Sequence, residues 1–264
     1  MIAKLISTSR PMTGVFAALL SVAGFRYFND APWMLVSATA VLFLGITWHI
    51  MSFNDLMDRV NDLRKNKRFA YENEWALRQY IAVLSSATLT VLGAVTVWDM
   101  RVGFFCACVW ALGVLYSFVP HWFVVQNLIV AVCSGSPVLV GVVNSGEVDY
   151  RPLLVFCAFV FIIFIREVYK DIEDQDTDTG YKTTLPIVLG HEASVEVTTG
   201  LTFGWAVCLF LYPDTLLGVI GLGGGSALLS IHQELLYDHR KFAQAKAALD
   251  WVIRAVIVSI LITQ

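Results

Sequence analysis

The chain has 264 residues, 57% of them hydrophobic and only 15% charged, with a mean hydropathy of +0.68. A soluble domain carries about 25% charged residues, so the composition excludes an ordinary soluble protein and points to an all-α polytopic membrane protein. The net charge of −3 says little about partners, and no nucleic-acid partner is expected.

At the N-terminus, Lys4 and Arg10 precede an apolar run over 12–28. The arrangement resembles a signal peptide, with Ser21-Val22-Ala23 in the place of a cleavage site. The run is also long enough to span, and it is taken as the first of nine helices. The others are expected over 32–53, 79–98, 102–118, 122–143, 152–169, 194–212, 215–231 and 247–262, each near the 20 residues that a bilayer requires. From 79 to 165 the only charged residues are Asp99, Arg101, Glu147, Asp149 and Arg151. Pro120, Pro152 and Pro213 punctuate turns. Gly221, Gly223, Gly224 and Gly225 mark either close helix packing or a break in the eighth span. The five cysteines all lie in apolar segments, which suits small buried hydrophobes rather than disulfides or redox chemistry. No linker divides the chain, so a single membrane-embedded domain over 1–264 is expected.

Basic residues set the orientation. Lys4, Arg10, Arg59, Arg64, Lys65, Lys67, Arg68, Arg78, Arg166, Lys170, Lys182, Arg240, Lys241 and Lys246 all fall on one side of the nine-span arrangement. Only Arg26, Arg101 and Arg151 fall on the other, with Arg254 inside the last span. The positive-inside rule then puts the N-terminus in the cytoplasm. Trp33, Trp98 and Trp122 sit at span ends, as interfacial aromatics do.

Two acidic stripes stand out on that cytoplasmic side. Asp55, Asp58 and Asp62 have i, i+3, i+7 spacing, as do Asp171, Asp174 and Asp178. On a continuous helix at about 100° per residue each trio falls within an arc of roughly 60°. Like charges aligned this way repel one another, so a cation is expected between them. Asn54 lies beside Asp58 on the helical projection and adds a neutral oxygen. Oxygen-only ligands at the membrane surface suit Mg²⁺, which retains waters and bridges to substrate phosphates. Arg64, Lys65, Lys67 and Arg68 follow the first stripe, and Arg166, Lys170 and Lys182 surround the second. Metal-holding carboxylates opposite cationic side chains suit a diphosphate. The basic run also fits an ordinary topology signal. Glu173 and Asp176 project away from the second stripe and are expected to be solvated.

These residues resemble the UbiA-type intramembrane prenyltransferases. Asn54-Asp55-x-x-Asp58-x-x-x-Asp62 is similar to that family's first aspartate-rich motif. Arg166-Glu167-x-x-Lys170-Asp171-Ile172-Glu173-Asp174, continuing through Asp178, Gly180, Lys182, Thr183, Leu185 and Pro186, is similar to the second. Arg10-Pro11, Tyr116-Ser117 and Asn127 extend the resemblance over essentially the whole chain. It implies a helical bundle around a central cavity open sideways to lipid, where a prenyl diphosphate bound through Mg²⁺ ionises and alkylates an acceptor. The expected catalytic residues are Asn54, Arg68, Arg166, Lys170 and Lys182, with Lys65, Lys67, Tyr116 and Asn127 binding the donor. The expected metal ligands are Asp55, Asp58, Asp62, Asp171, Asp174 and Asp178.

An allylic cation must be kept from water, which an apolar cavity does, and aromatic faces stabilise it. Trp48, Phe53, Tyr116 and Tyr169 lie near the cytoplasmic span ends, where interfacial packing is the alternative role. His49 is either an acceptor-side base or a core histidine. The prolines and glycine that often follow the first motif in the family are replaced here by Asn66-Lys67-Arg68-Phe69-Ala70-Tyr71-Glu72. The lysine that commonly follows Tyr-Ser is absent, with His121 the nearest basic residue, so the lid over the site is expected to differ. The Lys-Asp-Ile-Glu-Asp form of the second motif resembles members acting on glycerol-phosphate ethers, chlorophyll-type acceptors or aromatic acids. A small aromatic or glycerol-phosphate acceptor is therefore expected. The alternatives are a terpene cyclase on the same scaffold and a cation-coupled transporter; a transporter would place its ionisable residues nearer mid-membrane.

Overall fold

Two long apolar helices, each ending in an acidic segment, organise the chain. The computed structural model describes residues 1–28, 31–119, 124–237 and 242–263, and all its regular elements are helical. They group into two compact units, one of Met1–Phe118 with Ser136–Val148, the other of Val119–Gly135 with Asp149–Gln264.

The first unit holds α1 (Ile2–Thr8), α2 (Pro11–Arg26), α3 (Trp33–Met57), α4 (Arg59–Asp62), α5 (Phe69–Glu72), α6 (Glu74–Trp98) and α7 (Met100–Tyr116). The α3 helix is its hub, packing against α1, α2, α6 and α7, with Leu42, Phe43 and Ile46 fully buried. Pro11 disfavours a right-handed helical conformation at the residue before it. Arg10 accordingly takes φ 48° and ψ 65°, and α1 meets α2 at a 47° bend. Leu5 packs against Leu56, Ala70, Leu77 and Ile81, and Thr8 Oγ1 lies 3.2 Å from Ser52 Oγ, so α1 is fastened beside the end of α3.

The segment expected as one helix over 122–143 is interrupted. Within it α8 (Val125–Gly135) gives way to a 3₁₀ turn at Ser136–Leu139 and then to α9 (Val140–Ser145). Pro137 lacks the N–H that a continuous α-helix needs. The 3₁₀ turn and α9 pack against α2. A Cβ on Gly24 would collide with the Val138 carbonyl oxygen, and one on Gly141 with the Gly24 carbonyl oxygen. This backbone-to-backbone approach requires glycine on both sides.

Asp99 caps α7, accepting hydrogen bonds from the N–H groups of Arg101 (2.8 Å) and Val102 (3.2 Å). Asn144 Nδ2 donates to its other oxygen at 2.8 Å, and Arg101 Nη2 donates to the Asn144 carbonyl at 2.6 Å. Burial acts to raise the Asp99 pKa; the hydrogen bonds from Asn144 and the two backbone N–H groups, with the Arg101 charge, outweigh it and hold the carboxyl below its ordinary value. Asp149 likewise sits below its ordinary value, chiefly through the side-chain hydrogen bond from Arg151.

The second unit holds α8, α10 (Tyr150–Glu173), α11 (Gln175–Asp178), α12 (Leu185–Leu189), α13 (His191–Phe210), α14 (Thr215–Tyr237) and α15 (Phe242–Thr263). The α8, α12, α13 and α15 helices all pack on α10. In lipid, association relies on close packing rather than on water exclusion. The glycine cluster of α14 serves that purpose: a Cβ on Gly221 would lie 2.8 Å from Leu209 Cβ, and one on Gly224 2.9 Å from the buried Trp205 ring. The helix runs through the cluster unbroken, which decides between the two expected roles.

Each of the nine expected spans overlaps a helix, yet the count itself is smaller by length and composition. Among the described residues, six helices are long and apolar enough to cross a bilayer, and α1 with α2 makes a seventh if the bent pair is one span. At 17 residues α7 is short, and α15 carries Lys246, Asp250 and Arg254 within its 22 residues. The molecule is an integral membrane protein. Pro120, His121, Trp122, Arg240 and Lys241 lie outside the described residues.

Candidate active site

The first acidic segment is not the uninterrupted stripe that its spacing predicts. Asp55 lies on α3, Asp58 is the junction residue (φ −80°, ψ −3°), and Asp62 ends the four-residue α4. Helical hydrogen bonds nevertheless cross the junction, from Asp58 N–H to Asn54 C=O (2.8 Å) and from Asp62 N–H to Asp58 C=O (2.9 Å). The buried Asn54 donates from Nδ2 to Asp58 Oδ2 at 3.1 Å. Ser117 Oγ, one residue beyond α7, donates to Asn54 Oδ1 at 3.4 Å. Arg10 lies 3.8 Å from Asp55, and Lys67 4.0 Å from Asp62.

The second unit repeats this construction. Asp171 lies on α10, Asp174 is the junction (φ −92°, ψ 1°), and Asp178 ends the four-residue α11. Asp174 N–H donates to Lys170 C=O and Asp178 N–H to Asp174 C=O, both at 2.9 Å. The buried Asn127 on α8 donates from Nδ2 to Asp171 Oδ2 at 2.8 Å. Each segment therefore has one asparagine amide tethering one aspartate. Each also closes through a residue of positive φ, Asn66 (58°) and Gly180 (82°), with a lysine one residue later in the first segment and two residues later in the second. The backbone N–H groups of Lys67 and Lys182 return to the carbonyls of Asp62 (2.8 Å) and Asp178 (2.9 Å).

Lys170 Nζ donates to Glu167 Oε2 at 2.9 Å, and Arg166 Nη1 to Glu167 Oε1 at 2.9 Å. Arg166 Nε also donates to Asp250 Oδ1 at 2.8 Å. Glu173 is exposed, as expected, and pairs at the surface with Lys246. Lys65 is half-buried, and Arg64 and Arg68 are exposed. Tyr116 is buried at the end of α7. Trp110 donates to His49 Nδ1 at 3.0 Å while Phe53 stacks on the His49 ring. His49 is a core histidine whose Nδ1 lone pair is in use, which removes it as a base through that atom. Tyr169 packs edge-on against His232, on the opposite side of α10 from the Asn127-tethered Asp171. Asn127 found no role in residue spacing alone, Glu167 was named in the second motif without a role, and Asp250 was missed; a charged residue inside an apolar helix was the one available signal for it.

Among the described residues, no three His, Cys, Asp or Glu side chains converge into a ready-made metal centre. Mg²⁺ does not require one: it takes one or two carboxylates and completes its shell with water and substrate phosphate. The donors gathered at each segment, carboxylates beside an amide oxygen, fit that chemistry.

Curated relatives agree with this architecture. The chain is 27% identical to the digeranylgeranylglyceryl phosphate synthase of Thermococcus kodakarensis over 234 residues, 86% of this chain and 79% of that one. It is 28% identical to the synthase of that name from Methanococcus maripaludis over 231 residues, 83% of this chain and 78% of that one. The fold is shared with a UbiA homolog from Aeropyrum pernix (TM-score 0.76, 16% identity, covering 96% of this chain and 98% of the other). It is also shared with a UbiA homolog from Archaeoglobus fulgidus bound to GPP and Mg²⁺ (TM-score 0.66, 14% identity, covering 97% and 99%). The model of the UbiA prenyltransferase family matches residues 11–256. With that match across nearly its whole length, the chain belongs to the UbiA prenyltransferase family.

Proposed function

We propose that the chain transfers a prenyl group from a prenyl diphosphate to the hydroxyl of a glycerol-phosphate acceptor, and that residues 1–264 work as a single membrane-embedded domain. The observation that carries this reading is the parallel construction of the two acidic segments, each with a junction aspartate, a closing lysine and one asparagine amide on a carboxylate, Asp58 in the first and Asp171 in the second. The names of the curated relatives support the choice of a glycerol-phosphate acceptor over an aromatic one.

Asp55, Asp58, Asp62, Asp171, Asp174 and Asp178 would hold Mg²⁺, which when bound neutralises the diphosphate and the charge that develops on it as it leaves. Asn54 and Asn127 keep Asp58 and Asp171 oriented. Lys65, Lys67, Arg68, Lys170 and Lys182 meet the diphosphate oxygens, Arg as a fork and Lys as a point charge. Arg166 acts from behind, through Glu167. Tyr116 lines the donor's path. The carbon–oxygen bond at C1 of the prenyl group breaks, and the diphosphate takes the electron pair. The acceptor hydroxyl oxygen then bonds to C1 and gives up its proton to water. Surrounding apolar helices keep water from the carbon while it carries charge. The bias of Lys and Arg toward one side of the spans supports a cytoplasmic N-terminus and cytoplasmic acidic segments.

The test is mass spectrometry of products formed by the purified protein in lipid with Mg²⁺, a panel of prenyl diphosphates, and either a glycerol-phosphate ether or an aromatic acid. A prenylated glycerol phosphate, with no product when the acceptor is omitted, is expected. A prenylated aromatic acid would overturn the acceptor assignment, and a cyclic hydrocarbon formed without acceptor would identify a cyclase. Orientation is checked by labelling single cysteines at positions 66 and 147 in a cysteine-free background. In sealed inside-out vesicles the first is expected to label and the second not.

A further inference from the structure

Four side chains in the second unit form a line of alternating charge. Asp250 Oδ1 on α15 accepts from Arg166 Nε at 2.8 Å. Arg166 Nη1 donates to Glu167 Oε1 at 2.9 Å, and Glu167 Oε2 accepts from Lys170 Nζ at 2.9 Å. Glu167 is the buried member, its side chain only 7% exposed, whereas Arg166 and Lys170 are about a third exposed. A buried carboxylate is costly unless its oxygens are paired, and here each oxygen serves a different cation.

The division depends on Asp250. A guanidinium prefers to grip a carboxylate with two parallel N–H groups. Arg166 reaches Glu167 through Nη1 because Asp250 occupies Nε. Without the Asp250 charge, Arg166 is released to take both Glu167 oxygens and to displace the Lys170 ammonium, whose bond is to the oxygen that Arg166 does not use. Lys170 immediately precedes Asp171 and sits one turn before Asp174, so a change in its position is felt at the second acidic segment. A separate ion pair, Lys246 with Glu173, joins α15 to α10 without touching this line. Attachment of α15 and placement of Lys170 are therefore separable.

We propose that Asp250 is a positioning residue for the transfer reaction: through Arg166 and Glu167 it holds the Lys170 ammonium toward the diphosphate. The inference rests on the role given to Lys170 under the proposed function. It makes α15, which carries no part of either acidic segment, a contributor to the chemistry.

A double-mutant cycle on the full-length protein in lipid tests it, with kcat and KM for the prenyl diphosphate measured separately. Asp250→Asn is expected to lower kcat about tenfold or more, the scale of a misplaced supporting group. Asp250→Glu restores it to within about twofold, and Lys246→Ala leaves it within about twofold. In a Lys170→Ala background, Asp250→Asn is expected to cost nothing further, because the group that it positions is gone. If the two losses multiply, Asp250 acts on the fold rather than on Lys170, and the proposal is overturned. A kcat loss for Lys246→Ala equal to that for Asp250→Asn overturns it as well. If Lys170→Ala itself turns over at the wild-type rate, the reading of Lys170 fails and the relay fails with it. An impaired Lys170→Ala beside a silent Asp250→Asn overturns the relay alone.

Discussion

Asn127 and Asp171 are joined by a 2.8 Å bond between buried side chains 44 residues apart, one on α8 and the other on α10. The amide donates through its nitrogen to one carboxylate oxygen, so the bond fixes the rotamer of the aspartate. Replacing Asn127 by Leu removes the donor and leaves the carboxylate buried without it. We expect turnover to fall by roughly ten- to a hundredfold, with more Mg²⁺ needed for half-maximal rate, as for other groups that orient metal-binding carboxylates. Magnesium titrations of the purified variant provide the check; an unchanged Mg²⁺ dependence would count against the assignment of Asp171 as a ligand.

The junction aspartates are predicted to be functional rather than structural. Asp58→Ala and Asp174→Ala should each reduce turnover by about 10² to 10³, the scale of losing one electrostatic contact to a developing charge. Asp174→Ala should not lower the melting temperature, because removing one of several like charges relieves repulsion, whereas Asp58→Ala also leaves the buried Asn54 amide without its acceptor, at a cost of about 1–3 kcal/mol. A folded variant of either kind that turns over prenyl diphosphate at the wild-type rate would sink the metal-site reading.

Close packing of α2 on the 136–141 segment gives a prediction independent of catalysis. Gly24→Ala and Gly141→Ala each push a methyl into a carbonyl oxygen, and overpacking of this kind costs about 1–3 kcal/mol. Gly93→Ala serves as control. Nothing lies within 4 Å of its added Cβ, so the helix gains up to about 1 kcal/mol from better propensity. Thermal melts in detergent should order the three accordingly.

The Asp99 clasp gives a pH dependence with a definite sign. Its folded-state pKa lies below the ordinary value, so the folded state favours the charged form. The stability that it contributes is complete above the unfolded carboxylate pKa of about 4 and is lost as pH falls through the lower folded value. Asp99→Ala should cost about 1–2 kcal/mol at pH 7, the range for losing a helix cap. The gap between wild type and variant should narrow only in acid. A difference that is constant from neutral pH to below the folded pKa would show that the clasp does not act through the ionised carboxylate.

Much of this was legible in the residues alone, and the rest failed for identifiable reasons. The α3, α6, α10, α13 and α14 helices announce themselves because a span in lipid must be long, apolar and internally hydrogen-bonded. The paired acidic segments are equally plain from their spacing. The same spacing argument assumed a continuous helix, and so passed over the breaks at Asp58 and Asp174. Pro137 marked the interruption between α8 and α9, but an apolar run on both sides concealed it. Glu173 is exposed as its helical angle implies, but its partner Lys246 lies 73 residues away, beyond the reach of any periodicity. The same holds for Arg166 and Asp250, and for Asn127 and Asp171. Contacts between side chains on different helices are set by how the helices pack, and no local pattern encodes them.

The break in each acidic segment has a mechanical consequence. A helix of four residues has too few hydrogen bonds to be stable by itself, so α4 and α11 are held by their junctions and by the lysines that close them. Asp62 and Asp178 thus sit on short turns whose geometry is set by the backbone that closes behind them, from the N–H groups of Lys67 and Lys182.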